Sequence, residues 1–218
     1  MSPFAGMLHA AVQCVNSFTD EFTRLENPLA ILWTNRPWLG TTNWAADADE
    51  AVFTGPAAGP TRVGTRLVLN SPLCTVDQEV ELILTGCPAT AAGTNADTIG
   101  AYMRCDSTAP TTGYLCQLTK NGSPAVRKLT IALDGTGIIA SKTSDLMSDP
   151  ALVRGTADGT DITVYAVSDG GPDDNDTLTV SNAALSTGNY VAMNGSINVD
   201  HAAGSQSWKV NTVTAETI

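Results

Sequence analysis

The fold of this chain is decided by residues Asp97–Ser141, which read DTIGAYMRCDSTAPTTGYLCQLTKNGSPAVRKLTIALDGTGIIAS. Short apolar runs alternate here with turn-forming residues, among them the pairs Asn121-Gly122 and Asp134-Gly135, which are typical of tight β-hairpins. Four strands are predicted: Ile99–Cys105, Tyr114–Thr119, Arg127–Leu133 and Ile138–Ala140. Because connections this short cannot form a parallel crossover, the strands must run antiparallel and form a β-meander.

The same pattern of short strands and turns extends over the rest of the sequence. Asp161–Val167 alternates strictly, which places Ile162, Val164 and Ala166 on one face of a strand. A length of 218 residues with 19 glycines and 11 prolines suits a single all-β domain. We therefore predict one antiparallel β-sandwich over residues 18–218, preceded by an N-terminal arm over residues 1–17.

The charge of the chain limits its partners. It carries 11 basic and 22 acidic residues, a net charge of −11 at pH 7. Nucleic acid and anionic membrane surfaces would repel such a protein, so neither is expected as a partner. The first 17 residues contain no lysine or arginine, and their apolar stretch is too short to span a bilayer.

The N-terminal arm is a candidate partner-binding segment. Its apolar residues recur at helical spacing, which indicates a short amphipathic helix that could dock on a neighbouring protein. The alternative is a frayed terminus or a strand that covers the core. The candidate contact residues are Phe4, Met7, Leu8 and Val12.

The five cysteines show no metal-binding spacing. Cys105 and Cys116 flank one predicted turn and could face each other on neighbouring strands, so a disulfide between them is geometrically possible. Cys74 and Cys87 lie on an extended run that would hold them too far apart to bridge. Free buried thiols are the expected state of most of the five.

One loop is a candidate calcium site. Residues 169–176 read DGGPDDND and concentrate carboxylates, which are the ligands that calcium prefers in flexible loops. The alternative is a hydrated hairpin tip, because the loop lacks the residue order of a helix-loop-helix calcium site. The candidate ligands are Asp169, Asp173, Asp174 and Asp176.

Several stretches carry a resemblance to a known family. They are FTDEFTRLENPLAILW (Phe18–Trp33), GAYMR (Gly100–Arg104), DITVY (Asp161–Tyr165), GNYVAM (Gly188–Met193) and WKV (Trp208–Val210). Their order resembles the concanavalin A-like, or laminin-G-like, jelly roll found in bacteriophage virion proteins. The resemblance implies two antiparallel sheets packed face to face. It also implies one of three activities, since members are glycan-binding lectins, glucan hydrolases or non-enzymatic domains of capsids and tails.

The sequence lacks the carboxylate pattern that a glucan hydrolase of this family would need. Such enzymes carry carboxylates in the order E-x-D-x-x-E, which the alternation of a strand places on one sheet face. The nearest match begins at Glu79 and Glu81, but its third position is Leu84. No serine, cysteine or histidine arrangement typical of nucleophilic catalysis is present either, so we do not expect an enzyme.

Two functions remain as hypotheses. The first is a capsid decoration, or cement, protein that binds the major capsid protein and copies of itself, a trimer being one arrangement. It would lie on the capsid surface of a virion assembled in the host cytoplasm. The second is a glycan-binding module on a phage tail or fibre, with calcium as an optional cofactor. Its stacking residues would be Trp38, Trp44 or Tyr165.

Overall fold

The computed structural model describes residues 13–26, 29–47, 49–55, 62–88, 96–121, 126–134, 136–197 and 206–218. Within these ranges the chain forms fifteen β-strands in two antiparallel sheets, and no helix is long and apolar enough to cross a membrane. The predicted all-β sandwich is confirmed.

One sheet has eight strands and the other has seven. The eight-stranded sheet contains β1 Ser17–Asp20, β3 Trp44–Asp47, β4 Glu50–Thr54, β6 Gln78–Gly86, β11 Pro150–Asp158, β12 Asp161–Ser168, β13 Asn175–Ser181 and β15 Ser207–Thr217. The seven-stranded sheet contains β2 Trp33–Leu39, β5 Val63–Leu69, β7 Ala96–Cys105, β8 Tyr114–Asn121, β9 Val126–Leu133, β10 Gly137–Thr143 and β14 Tyr190–Ile197. The strand orders are β13-β12-β11-β6-β15-β4-β3, with β1 on β15, and β10-β9-β8-β7-β14-β5-β2.

The predicted meander forms one half of the seven-stranded sheet. Strands β7, β8, β9 and β10 lie side by side in chain order, each antiparallel to the next. In register, Ala101 lies opposite Cys116, which in turn lies opposite Ile131. All three side chains are fully buried, so this row faces the other sheet.

The core lies between the two sheets and is built from alternate residues of each strand. On β12 the side chains of Ile162, Val164 and Ala166 are fully buried, as the alternation predicted. Trp44 and Trp208 have no exposed surface, and each large aromatic side chain removes roughly 150–250 Å² from water. The opposite faces of the same strands are left for polar side chains.

Most of the five cysteines are free, as the sequence predicted, and the remaining two form a disulfide that was not expected. Cys14 and Cys74 form a disulfide with their Cα atoms 4.9 Å apart, while Cys87, Cys105 and Cys116 are free. The Cys105–Cys116 disulfide that the sequence left open does not form, because their side chains lie on opposite faces of the seven-stranded sheet. Cys116 belongs to the main core, whereas Cys105 packs in a small cluster on the outward face.

The disulfide ties the N-terminal segment to the body of the sandwich. Next to it, Val15 forms a parallel bridge with Leu73, donating to the Pro72 carbonyl at 2.9 Å and accepting from the Cys74 amide at 3.0 Å. Strand β1 follows at once and pairs with β15. The candidate contact residues Phe4, Met7, Leu8 and Val12 lie outside the described residues, so their docking role stays a prediction.

The N-terminal segment is also held by Asp20 at the end of β1. The side chain of Asp20 is only 5% exposed. It accepts hydrogen bonds from the Phe22 amide at 2.9 Å and the Trp33 indole at 2.7 Å. Two further bonds come from the Arg24 guanidinium, at 2.7 and 2.9 Å. Burial alone would raise the pKa of Asp20, but these donors together hold it below its ordinary value.

We expect reduction of the Cys14–Cys74 disulfide to lower the free energy of unfolding by about 2–4 kcal/mol, because it closes a long loop in the unfolded chain. Chemical denaturation with and without dithiothreitol measures this change. A Cys14→Ser/Cys74→Ser double variant should match the reduced wild type, and Cys87→Ser should retain the response. An identical denaturation midpoint in both conditions would refute the stabilising role.

We expect Asp20→Asn to lower the free energy of unfolding by about 2–3 kcal/mol at pH 7, because a buried charged acceptor is lost. The folded-state pKa of Asp20 is lowered, so its contribution is complete above the unfolded pKa of about 3.9 and is lost as pH falls through the folded pKa. Denaturation curves between pH 7 and pH 2 should therefore show wild type and variant converging in acid. A gap that stays constant with pH contradicts the assignment, and Asp47→Asn, at an exposed carboxylate, is the matched control.

Candidate functional site

The outward face of the seven-stranded sheet carries a polar groove. In register across β8, β7 and β14, Gln117 lies opposite Gly100, which lies opposite Asn194. One step along the strands, Thr119 lies opposite Thr98, which lies opposite Ser196. Gln117 and Thr119 point away from the core because they alternate with the buried Cys116 and Leu118. Thr98, Asn194 and Ser196 lie on the same face but are themselves buried.

The groove has a volume of about 270 Å³. Among the described residues, its lining combines hydroxyl and amide groups with two cations and one apolar side chain, and includes no carboxylate. The lining residues are Arg62, Thr98, Gln117, Thr119, Lys128, Thr130, Ile138 and Ser141. Gly100 must stay a glycine on this face, because a Cβ atom there would lie 2.1 Å from the backbone oxygen of Cys116.

Trp38 belongs to the edge strand β2, and its side chain reaches across β5 towards the groove, where it contacts the lining residue Arg62. Its indole lies against Gly64, where a Cβ atom would come within 2.4 Å of the ring. The indole N–H donates to the side-chain oxygen of Asn194 at 3.0 Å. The side chain is 41% exposed, whereas Trp33, Trp44 and Trp208 are at most 1% exposed. Trp38 is therefore the one tryptophan of the four that a ligand can reach.

Arg62 connects Trp38 to the groove. Its guanidinium carbon lies 5.5 Å from the centre of the indole ring, within the range of a cation–π contact. Its Nε and Nη2 atoms donate to the Ser196 hydroxyl at 3.1 and 2.7 Å, and Thr98 shares a hydrogen bond with that hydroxyl at 2.7 Å. Burial lowers the pKa of Arg62, yet a guanidinium stays charged at neutral pH.

The other end of this face is closed by a small cluster around Tyr102. The Arg66 guanidinium carbon lies 4.3 Å from the Tyr102 ring centre, and both side chains bind Asp134, at 3.0 Å and 2.6 Å respectively. Arg36 donates to the backbone oxygen of Thr108 at 2.8 Å, which holds the loop after β7 against the same face. Burial and the Asp134 hydrogen bond raise the pKa of Tyr102 well above its ordinary value, so it stays a neutral phenol.

The three predicted stacking residues do not lie together. Trp44 has no exposed surface and packs 5.3 Å from Phe53 inside the core. Tyr165 lies on the outward face of the eight-stranded sheet, where the Arg154 guanidinium carbon sits 4.9 Å from its ring centre. Trp38 alone lies at the groove.

The predicted calcium loop is held by hydrogen bonds within the chain. The Asp174 carboxylate accepts from the backbone amides of Met147, at 3.0 and 3.1 Å, and Ser148, at 3.3 Å. The Ser168 hydroxyl also donates to it. These donors, with the Ser168 hydrogen bond as the largest cause, lower the pKa of Asp174.

Asp176 is buried and is engaged by a cation of the chain itself. It accepts from Lys142 Nζ on β10 and from the backbone amides of Asp145 at 3.2 Å and Thr177 at 2.8 Å. Asp169 and Asp173 are exposed. The described residues contain no group of three or more His, Cys, Asp or Glu side chains arranged to hold a metal ion, and calcium stays a prediction.

The carboxylates tested for hydrolysis lie on the opposite sheet from the groove. Glu79 and Glu81 share the outward face of β6, where the Arg154 guanidinium lies 3.4 and 3.8 Å from them. Ile83 is the next outward residue, and Leu84 points into the core. This arrangement is an ion-paired surface without the third carboxylate of the hydrolase pattern.

A larger open cleft of about 520 Å³ lies at the β3–β4 edge. Small side chains form most of its wall, and no aromatic ring lines it. Glu26, which does line it, is already engaged by Arg24 at 2.9 Å and by the amides of Ala30 and Ile31, both at 2.6 Å. The groove beside Trp38 therefore offers more groups that a ligand can bind.

Sequence reasoning selected Trp38 as a candidate but none of the residues that line the groove. Gln117 and Lys128 lie on separate strands, Arg62 immediately precedes β5, and the three form no motif. The alternation of Gln117 and Thr119 with the buried Cys116 and Leu118 was the available signal, because it marks a polar outward face on β8.

No protein-family model matches the sequence, and no curated protein matches it significantly. Solved structures share its fold. The VIP36 exoplasmic/lumenal domain in its Ca²⁺/Man2-bound form aligns with a TM-score of 0.60 at 9% identity, over 93% of this chain and 88% of that chain. Lectin II from Ulex europaeus aligns with 0.57 at 10% identity, over 93% and 98%.

A third similar structure is the CBM2 module of the evolved Dit of Lactobacillus casei BL23 phage J-1. It aligns with a TM-score of 0.65 at 9% identity, over 92% of this chain and 95% of that chain. All three similarities extend over nearly the whole of both chains. This chain therefore has the concanavalin A-like β-sandwich fold of lectins and of a phage carbohydrate-binding module, as its sequence resemblance implied.

Proposed function

We propose that this chain is a non-enzymatic glycan-binding module whose ligand lies in the groove on the seven-stranded sheet. The observation that carries the proposal is the exposed indole of Trp38, which lies against Arg62 of the groove lining. An aromatic face offers a surface for the apolar side of a sugar ring, while fixed polar groups set orientation and specificity. Here Gln117, Thr119 and Arg62 supply those polar groups.

The similar structures support this proposal through their ligands. VIP36 was solved with Man2, and a second lectin structure, UEA-II, was solved with galactose at a TM-score of 0.57 and 11% identity. The phage J-1 module bears the name of a carbohydrate-binding module. At such low identity these proteins indicate a class of ligand and leave its position to be argued from the residues of this chain.

The lining of the groove favours binding over hydrolysis. Glycoside hydrolysis needs two carboxyl groups flanking the scissile bond, about 5–9.5 Å apart depending on mechanism. No carboxylate of the described residues lines the groove, and the Glu79–Glu81 pair lies on the other sheet. A sugar bound beside Trp38 would meet hydroxyl, amide and cationic groups.

A second proposal places the module on a bacteriophage virion, and the similarity to the phage J-1 module favours it. The Cys14–Cys74 disulfide suits a protein that works outside the reducing cytosol. On a virion surface the module could decorate the capsid, with residues 1–12 binding the major capsid protein or further copies of this chain. Co-sedimentation with purified capsids tests this role: the full chain should bind and a chain lacking residues 1–12 should not, whereas equal binding would remove the arm from it.

We expect Trp38→Ala to weaken binding to glycans that the wild type selects on an array by at least about tenfold, as for other exposed aromatic contacts. Gly64→Ala should weaken binding in the same direction, because its new methyl group displaces the indole from its seat. Bound glycan should also reduce acrylamide quenching of tryptophan fluorescence, since Trp38 is the accessible indole.

Tyr165→Ala is the matched control, because it removes an aromatic side chain from the opposite sheet. It should bind glycan as the wild type does. Melting temperatures of all variants separate loss of ligand contact from loss of fold. Unchanged affinity in Trp38→Ala, or a loss confined to Tyr165→Ala, would move the site away from the groove.

A further inference from the structure

We infer that the groove selects acidic saccharides, in which a sugar carries a carboxylate, sulfate or phosphate group. This inference rests on the proposed glycan-binding function and names the class of ligand for the same site. It comes from the distribution of charge over the molecule. The chain has 22 acidic and 11 basic residues, yet the described residues that line the groove include two cations and no carboxylate.

The basic side chains without a carboxylate partner are concentrated on one face of the molecule. All eleven arginine and lysine side chains lie in the described part of the chain, and eight of them lie within 4.0 Å of a carboxylate there. The remaining three, Arg36, Arg62 and Lys128, form no such ion pair with a described carboxylate. All three belong to one face, the outward face of the seven-stranded sheet: Arg62 and Lys128 line the groove, and Arg36 lies in register with Arg66 on the neighbouring strand.

Arg62 is held in place for an anionic ligand without being neutralised by a carboxylate contact. Its hydrogen-bond partner is the Ser196 hydroxyl, and its guanidinium lies over the Trp38 indole. Asp97 attracts it electrostatically, but that carboxylate is fully buried and does not line the groove. A guanidinium fixed by neutral partners keeps most of its charge for an incoming group, and charge-assisted hydrogen bonds are about twice as strong as neutral ones.

Lys128 supplies the second positive charge from β9. It is exposed, and it lies in register with Thr119 of the groove. Two other basic residues of the same sheet, Lys120 and Arg127, do form ion pairs: both bind Asp149, at 2.8 and 3.2 Å. In a chain with twice as many acidic as basic residues, a lysine without a described carboxylate partner marks a position where an external anion can bind.

Three matched pairs of oligosaccharides test this inference, each with and without its charge. They are a galacturonic acid hexamer and its methyl ester, trisialic acid and its methyl ester, and a sulfated and a desulfated chondroitin hexasaccharide. We expect titration calorimetry to show binding of at least one acidic form, with its neutral counterpart at least about tenfold weaker. The affinity for the acidic form should fall as sodium chloride is raised from 50 to 300 mM, because exposed charges are screened.

Two single-charge variants complete the test. Lys128→Gln should weaken binding of the acidic form by about tenfold, and should weaken binding of its neutral counterpart by much less. Lys209→Gln removes the same charge from the opposite sheet, where Lys209 is paired with Glu50 at 3.0 Å, and should bind as the wild type does. Lys128→Arg, which keeps the charge, should retain affinity.

Each result has a distinct meaning. Equal affinity for both members of every pair, or an unchanged affinity in Lys128→Gln, overturns the acidic ligand while leaving the glycan-binding proposal in place. A wild type that binds only neutral glycans on the array has the same meaning. A wild type that binds none of the six oligosaccharides and nothing on the array overturns both.

Discussion

Burial of alternate side chains between two sheets is the constraint on which this structure depends. Each strand must present one continuous apolar face to the opposite sheet, because no helix in the described chain covers either sheet. The tryptophans Trp33, Trp44 and Trp208 supply much of the buried surface. The same constraint frees the second face of each strand, and the groove is built entirely on that freed face of the seven-stranded sheet.

The local part of this fold was predictable and the long-range part was not. The meander β7–β10 follows from turn residues and short apolar runs, since each strand pairs with the next in sequence. By contrast β14 pairs with β5 and β7, more than 80 residues earlier, and nothing in the YVAM run specifies those partners. The Cys14–Cys74 disulfide was missed for the same reason, because it depends on the bridge between Val15 and Leu73.

The candidate site shows how far residue type alone can carry a prediction. Trp38 and Trp44 are six residues apart and equally suited to stack on a sugar, yet the structure buries one and exposes the other. The difference arises from strand faces: Trp44 points between the sheets, while Trp38 lies over Gly64 on the outer surface. The sequence could not show that Arg62 and Lys128 belong to one groove, because they come together only when β5, β14, β7, β8 and β9 assemble in that order.

The contact between Lys142 and Asp176 has a consequence for the behaviour of many copies in close proximity. Lys142 belongs to β10 and Asp176 to β13, which are the edge strands of different sheets on the same side of the sandwich. An open strand edge is a template on which another chain can add its own strand, and a lysine at such an edge opposes this. Lys142 also donates to the Thr177 carbonyl at 3.2 Å, so it occupies an acceptor on β13 as well. On this side of the sandwich, Lys142 and its contacts with Asp176 and Thr177 therefore hinder a second copy from adding a strand to β10 or β13.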